Sequence, residues 1–156
     1  MKRWFFIFVQ VLLLLSLTMV SGCGWPEKKQ VRETVRLYNE KKILALKRPE
    51  PELMDTLTTK REKQRVLMYI LYQYQKKVVI DARLLKLETV KTEVNGNKAT
   101  VQTKEEWVYK KLDVDTRKPV KKEEKIYYDG TYSLEKTKEG RWVVADLKIN
   151  QRSGGR

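Results

Sequence analysis

The chain has 156 residues, which is enough for one domain with a hydrophobic core. It carries 34 Lys and Arg against 20 Asp and Glu, and the net charge of +14 predicts attraction to anionic surfaces such as phospholipid headgroups, wall polymers or nucleic acid. A single Cys and no His exclude an intramolecular disulfide, the common zinc sites and nucleophile–His triads, so we expect no metal or redox cofactor.

Acidic and basic residues are interspersed along the sequence, as in "KREKQR" and "KKEEK". This pattern is also typical of a solvated protein surface, so nucleic acid is not favoured as a partner. No pair of Asp or Glu stands out from the charged background as a general acid and base. Chemistry that uses carboxylates alone is not excluded, but the composition points to no catalytic residue, and we expect a protein that is not an enzyme.

The N-terminal segment has three parts. Two basic residues at 2–3 precede an apolar run at 4–20, and two small residues at 21–22 are followed by Cys23. This order is typical of a secretory signal peptide, whose apolar part enters the membrane and whose small residues fit the signal peptidase. It predicts that the chain beyond residue 22 is exported.

The end of this segment resembles the lipobox of bacterial lipoprotein precursors, because Val20, Ser21, Gly22 and Cys23 match its aliphatic, small, Gly or Ala, and Cys positions. The resemblance implies that residues 1–22 are cleaved off as a signal peptide. It also implies that the Cys23 thiol carries a diacylglycerol with acyl chains such as palmitate. The mature chain would then be held by lipid at the extracytoplasmic face of a bacterial cell membrane.

An uncleaved membrane helix is the alternative to a lipid anchor. The 17 residues of the apolar run would span about 26 Å as a helix. That length is at the short end for a hydrocarbon core of about 30 Å. Both alternatives place the residues after 23 outside the cytoplasm on a membrane tether.

After a short tether at 23–27, helical spacing predicts a first helix over about 27–47. Its apolar face comprises Val31, Val35, Tyr38, Ala45 and Leu46. The prolines in the following "RPEPE" segment disfavour helix in the residues before them, so the helix is expected to end there.

A second helix is predicted over about 60–78, with the residues at 55–59 as its N-terminal cap. It contains "VLMYILYQY", which is apolar on nearly every side. The main stripe consists of Val66, Leu67, Ile70, Leu71 and Tyr74. We expect a central core helix wrapped by a sheet, and the alternative is a stripe that binds a partner.

From residue 82 onward the period changes to two, which indicates strands. Two runs flank Asn95-Gly96, a strong hairpin signal, and the second run points Ala99, Val101, Thr103 and Trp107 to one face. After a loop at "DVDTRKP", a third strand places Ile126, Tyr128, Tyr132 and Leu134 on one side, with a bend or bulge at Gly130. The final strand, "RWVVADLKI", faces Trp142 and Val144 inward and carries an irregularity near Asp146.

Two helices followed by about four antiparallel strands define an α+β fold. Residues 28–150 resemble the nuclear-transport-factor-two-like domains, in which a curved antiparallel sheet forms a cystatin-like cone around helices. More narrowly, "KLETVKTEVNGNKATVQTKEEWVY" and "YSLEKTKEGRWVVADLKI" are similar to the IMS domain of chloroplast division proteins and their bacterial homologues. The resemblance implies a cone-shaped pocket. Residues 151–156 are expected to be a disordered tail.

The leading functional hypothesis is a non-catalytic, membrane-anchored module of the cell envelope that binds or scaffolds a partner protein. Trp107, Tyr109, Lys110 and Lys111 are the candidate interface, since they combine aromatic and basic side chains. The alternative is a binder of an anionic surface polymer or lipid through the Lys-rich loop "TRKPVKKEEK". A small-molecule enzyme that works in the cone pocket is the least favoured hypothesis, because the sequence identifies no inward-facing polar group.

Overall fold

The computed structural model describes residues 24–152. The lipobox residues Val20, Ser21, Gly22 and Cys23 lie outside them. The elements, in chain order, are α1 (Gly24–Lys47), a 3-10 helix (Pro51–Met54), α2 (Lys60–Gln75), β1 (Val78–Asn95), β2 (Lys98–Asp113), β3 (Glu124–Lys136) and β4 (Trp142–Arg152). The predicted α+β class is confirmed.

The four strands form one antiparallel sheet in the order β1-β2-β3-β4, each joined to the next by a hairpin or loop. Gly96 turns the first hairpin with a φ of 58°, a conformation that favours glycine, as the Asn95-Gly96 signal predicted. The pairing shifts register twice in β1, between Leu84 and Lys86 and between Thr89 and Lys91. Such bulges bend a strand and help to curve the sheet.

The bulge in β4 confirms the predicted irregularity near Asp146. Ser133 pairs with Asp146, whereas the next residue, Leu134, pairs with Val144, so the intervening residue of β4 is unpaired. On either side of this bulge, Trp142 and Leu147 are both buried. The bulge therefore keeps both ends of β4 facing the core.

Helix α1 packs mainly on β1 through the face that its spacing predicted. Val31, Val35, Tyr38, Ala45 and Leu46 are all buried. The helix begins at Gly24, three residues earlier than expected, so most of the segment expected to be a tether at 23–27 is helical. Proline is tolerated in this first turn because the amides there have no partner within the helix.

Helix α2 ends at Gln75, before the expected 78, and Lys77 adopts a φ of 54° on the way into β1. At its start, Thr59 confirms the predicted cap, since its hydroxyl accepts a hydrogen bond from the Glu62 amide at 3.3 Å. Strand β1 then begins at 78, earlier than the expected 82.

The prediction that the sheet wraps α2 on several sides is wrong. Its buried residues are Glu62, Val66, Ile70 and Gln73, which form a single face. Leu71 and Tyr74, placed in the predicted core stripe, are 45% and 51% exposed, and Met68 and Tyr72 are exposed as well. The physical reason is that α1 already packs along the sheet, which leaves α2 one face to bury.

The inward faces of the strands follow the predicted alternation. Ala99, Val101, Thr103 and Trp107 are buried on β2, and Tyr132 and Leu134 are buried on β3. Strand β4 extends through Arg152, so the first two residues of the expected tail are in the sheet. Neither helix within residues 24–152 has the length and apolar character required to span a bilayer.

Candidate binding cavity

A cavity of about 490 Å³ lies between the two helices and the concave side of the sheet. Its lining is mostly apolar and aromatic, with five charged side chains. The lining residues are Tyr38, Lys42, Leu46, Glu62, Arg65, Val66, Tyr69, Ile80, Tyr109, Lys111, Glu124, Ile126, Tyr128, Leu147 and Ile149. Its size and mixed lining are typical of ligand-binding sites.

Lys42 enters the cavity from the buried face of α1, one turn after Tyr38, and its Nζ lies 5.6 Å from the centroid of the Tyr38 ring. Within residues 24–152 no Asp or Glu forms an ion pair with it. Burial lowers the pKa of Lys42, although the carboxylates of Glu105 and Glu62 oppose this effect. The cavity therefore contains a partly buried ammonium group with no direct carboxylate partner.

Glu62 and Arg65 form the part of the wall where α2 meets β4. Tyr38 donates a hydrogen bond to Glu62 Oε1 at 2.6 Å, and Arg65 Nη2 lies 2.6 Å from Glu62 Oε2. Arg65 also bonds to Asp146 Oδ1 at 2.7 Å and to the Leu147 carbonyl at 2.9 Å. Burial raises the pKa of Glu62, and the Tyr38 hydroxyl and the Arg65 guanidinium oppose the shift.

A second carboxylate, Glu105 on β2, lies in the core and is not part of the cavity lining. Its Oε1 accepts hydrogen bonds from Thr103 Oγ1 at 2.7 Å and from the Tyr132 hydroxyl at 2.6 Å, and its Oε2 accepts one from Trp107 Nε1 at 2.6 Å. Asn39 Nδ2 donates to the Tyr132 hydroxyl at 2.8 Å, which connects α1 to this group. We call these residues the Glu105 network.

Gly130 provides the space for the Glu105 network. It pairs directly with Thr103, and a Cβ at position 130 would lie 2.5 Å from Thr103 Oγ1 and 2.9 Å from Glu105 Oε1. Strand pairing is continuous on both sides of Gly130, so the bulge considered there is absent and the glycine has a packing role. With three donors on its two oxygens, the Glu105 carboxylate has the bonding of a structural group.

The four residues of the predicted interface do not form one surface. Trp107 is buried, and its indole stacks on the Tyr109 ring at a centroid distance of 5.6 Å. Tyr109 and Lys111 line the cavity, whereas Lys110 lies on the opposite face of β2 by the alternation of the strand.

Sequence reasoning missed the charged residues that define this region, namely Lys42, Glu62 and Glu105. The signal was present in the spacing. Glu105 continues the inward alternation of Ala99, Val101, Thr103 and Trp107. Glu62 shares a helical face with Val66 and Ile70, and Lys42 lies one turn after Tyr38. Among the residues from 24 to 152, no cluster of three or more acidic or Cys side chains could hold a metal ion.

No protein-family model and no curated protein matches the chain. Solved structures do match. The intermembrane space region of the chloroplast protein ARC6 is similar with a TM-score of 0.68 and 20% identity, over 80% of this chain and 96% of that one. A nuclear transport factor 2 (NTF2-like) superfamily protein from Salmonella enterica serovar Typhimurium LT2 gives 0.55 and 13%, over 81% and 92%.

A ketosteroid isomerase-like protein from Erwinia carotovora atroseptica has a TM-score of 0.50 and 14% identity, over 82% of this chain and 98% of that one. At sequence identities this low, the similarity shows a shared fold only. Two helices packed on a curved four-stranded antiparallel sheet match the NTF2-like α+β fold, as the sequence resemblance implied.

Proposed function

We propose that this protein is a membrane-anchored, extracytoplasmic lipoprotein whose cone is a non-catalytic binding module of the cell envelope. The ligand is a segment of a partner protein that presents apolar side chains and an acidic group. One observation carries the proposal: a mostly apolar cavity contains the Lys42 ammonium, which has no ion-pair partner among the described residues.

An acidic group of the partner would compensate this cation. A buried charge is unfavourable unless it is paired, so a carboxylate placed beside Lys42 would gain a charge-assisted hydrogen bond and relieve the desolvation. Lys111 lines the same cavity and adds a second positive charge. The apolar walls would take up the remaining part of the segment.

A protein partner is favoured over a small molecule because the apolar surface continues outside the cavity. Tyr69 lines the cavity and is 42% exposed, and Tyr72, one turn further along α2, lies on the outer side with Met68 and Leu71. Contiguous apolar surface of this kind marks interaction sites. This exposed surface of α2 therefore adjoins the cavity, and it shares Leu71 with the stripe that the sequence suggested as a partner-binding alternative.

The engagement of the two buried carboxylates, Glu62 and Glu105, supports a non-catalytic role, and the other acidic residue of the cavity lining, Glu124, is exposed to solvent. Glu105 accepts three hydrogen bonds outside the cavity lining, and Glu62 is held by Tyr38 and Arg65. Because these hydrogen bonds hold both side chains in place, neither carboxylate is free to reach a ligand and transfer a proton to it. A fold shared with a ketosteroid isomerase-like protein does not transfer an activity.

The anchor rests on the sequence, where Cys23 stands at the lipidation position of the lipobox. Two acyl chains would hold the mature chain firmly at the membrane. The similar ARC6 region is described as lying in an intermembrane space, a setting compatible with export of this chain.

Site-specific photo-crosslinking tests the binding role. A photoreactive phenylalanine analogue replaces Tyr69 in the full chain, in the membranes of its own cells, and the control probe replaces Leu85, an exposed residue of β1. We expect one discrete adduct from position 69. Lys42→Met should weaken it by about ten- to a hundredfold, since loss of a charged hydrogen bond is worth about 1.5–3 kcal/mol, whereas Lys41→Met, on the exposed side of α1, should not.

Equal adducts from positions 69 and 85, or equal effects of Lys42→Met and Lys41→Met, would contradict the proposal. The first result would mean that the cavity mouth is not a binding site. The second would mean that the Lys42 charge takes no part in binding.

The second candidate function is binding of an anionic surface polymer or lipid through the loop at 116–125. Lys118, Lys121 and Lys122 are exposed there, and none of them forms an ion pair within residues 24–152. Binding to purified wall polymer that weakens steeply with salt, and is lost when these three residues become Glu, would favour this function. Binding that is insensitive to both changes would exclude it.

A further inference from the structure

A second concave surface lies at the beginning of α1, away from the cavity. Trp25, Lys28 and Arg32 form it from the helix, and residues 89–92 form it from β1. We call it the N-terminal groove. None of its lining residues lines the cavity of the proposed binding site.

The N-terminal groove combines exposed apolar side chains with basic ones. Trp25 is 77% exposed and Val90 is 54% exposed. Val90 occupies the bulge between Thr89 and Lys91, where the ladder with β2 leaves it unpaired. Tryptophan beside lysine and arginine is the composition found where proteins meet the headgroup region of a bilayer.

All charged residues of the groove lining are basic, and the lining includes no acidic residue. Lys28 and Arg32 form no ion pair within the described part of the chain, while Lys91 is bonded to the neighbouring Glu93 at 2.7 Å. The groove therefore has at least two cations available for the phosphate groups of an anionic membrane.

Chain length keeps the groove near the membrane in either mode of anchoring. Trp25 is two residues from Cys23 and five from Val20, the last residue of the apolar run. An extended chain covers at most about 3.6 Å per residue, so Trp25 is within about 7 Å of a lipidated Cys23 or about 18 Å of the end of a membrane helix. The start of α1 at Gly24 leaves little slack to move the domain away.

We propose that the N-terminal groove docks onto anionic phospholipid headgroups and thereby fixes the orientation of the domain on the membrane. Trp25 and Val90 enter the interface, and Lys28 and Arg32 contact lipid phosphates. This inference rests on the proposed anchoring, and it adds a second contact from β1. The far end of α1, about 36 Å away along the helix axis, then points outward with the loop at 116–125, since Arg117 bonds to the Lys47 carbonyl there.

The test places its fluorescent reporter at position 90. Trp25 is unsuitable as a reporter, because the tether alone would keep it near the membrane. The full chain is purified from membranes with Trp4→Phe and Trp25→Phe, which leaves the buried Trp107 and Trp142 as a constant background. A reporter is added as Val90→Trp, or as Val120→Trp in the loop at 116–125, where the native side chain is 48% exposed. Each variant is reconstituted into phosphatidylcholine–phosphatidylglycerol vesicles whose acyl chains carry bromine near the headgroups.

We expect bromine to quench the emission added by Val90→Trp strongly, as for a tryptophan at the membrane interface, and that added by Val120→Trp little. Lys28→Glu with Arg32→Glu should remove the quenching at position 90, while Lys118→Glu with Lys121→Glu, the same charge change in the loop, should not. Hydrogen exchange of the unaltered chain supplies a readout without substitutions. Amides at 89–92 should exchange more slowly on the vesicles than in detergent.

Flotation with the vesicles separates docking from anchoring. If the chain floats but position 90 is unquenched and exchange at 89–92 is unchanged, the docking is wrong and the anchor stands. If Val120→Trp is quenched in place of Val90→Trp, the loop meets the membrane and the docking is again wrong. If the chain does not float, both the anchor and the docking are wrong.

Discussion

Tyr132 on β3 donates its hydroxyl hydrogen to Glu105 Oε1 on β2 at 2.6 Å, and the same hydroxyl accepts a hydrogen bond from Asn39 of α1 at 2.8 Å. Burial raises the pKa of Tyr132 well above its usual range, and the Glu105 carboxylate adds to the shift. The hydroxyl therefore remains a donor throughout the physiological pH range. This pair connects the long helix to the centre of the sheet.

Tyr132→Phe tests the stabilising role of this pair. The substitution leaves Glu105 with two donors and removes one of the two acceptors of the Asn39 amide group, which keeps its bond to the Val35 carbonyl; Glu105 and Asn39 are both buried. A buried polar group that loses its partner costs about 1–3 kcal/mol, so we expect the free energy of unfolding in urea to fall by that amount. Tyr74→Phe, at a 51% exposed position, is the control and should change it by less than about 0.5 kcal/mol. If both variants lose the same free energy of unfolding, the Tyr132 hydroxyl does not stabilise the fold.

Gly130→Ala tests the packing role of the glycine. Its methyl group would lie 2.5 Å from Thr103 Oγ1 and 2.9 Å from Glu105 Oε1, so the Glu105 network would have to shift. Overpacking of a core costs about 1–3 kcal/mol, and we expect a loss in that range with altered near-ultraviolet circular dichroism from Trp107.

Gly96→Ala is the matched control for this substitution. Gly96 has a φ of 58° with no atom within 4 Å of the added Cβ, so the cost there is backbone strain of about 1–2 kcal/mol without disturbance of the core. A Gly130→Ala variant with an unchanged Trp107 signal would show that the network accommodates a methyl group.

Local periodicity predicted most of the fold because burial on one face repeats at the period of each element. Val31, Val35 and Tyr38 marked the inner face of α1, and Ala99 and Val101 marked that of β2. Periodicity did not predict which faces of α2 are buried. Its sequence is apolar nearly all round, and whether Leu71 is covered depends on which helix packs along the sheet, which is a tertiary property.

The candidate site was harder to predict than the fold. Lys42 and Glu105 occupy inward positions of regular elements, but charged residues at such positions are easily read as surface. The Glu105 network also depends on the register that places Thr103 opposite Gly130 and brings Tyr132 to the carboxylate. The register between β2 and β3 is set across the loop at 114–123, which has no tight-turn signal like that of Asn95-Gly96, so the sequence did not predict it.

Cys23→Ala tests the anchor. The thiol is the proposed attachment point for diacylglycerol, and the lipoprotein signal peptidase cuts before the modified residue, so the variant should accumulate as an unprocessed, unlipidated precursor. Intact mass and N-terminal peptide mass of protein purified from its own membranes provide the measurement. In the native chain we expect a diacylated N-terminus at Cys23, and a native chain that retains Met1 without lipid would indicate a membrane helix as the anchor.

Lys42→Met tests whether the fold maintains Lys42 at a cost in stability. The pKa of Lys42 is lower in the folded protein than the ordinary 10.5, mainly through burial, so the unfolded chain binds more protons between the two values. The free energy of unfolding of the native protein must then rise with pH across that interval. Below the folded-state pKa the ammonium is charged and its desolvation destabilises the fold.

Methionine has a similar length and no charge, so Lys42→Met should be more stable than the native protein at neutral pH. This advantage should shrink as the pH rises from the folded-state pKa of Lys42 towards 10.5, because the lysine of the folded protein is then neutral. Urea unfolding of both proteins across this range is the measurement, with the exposed Lys41→Met as the control. A Lys42→Met variant less stable than the native protein at neutral pH would mean that the ammonium stabilises the fold, and a binding role would then lose its main support.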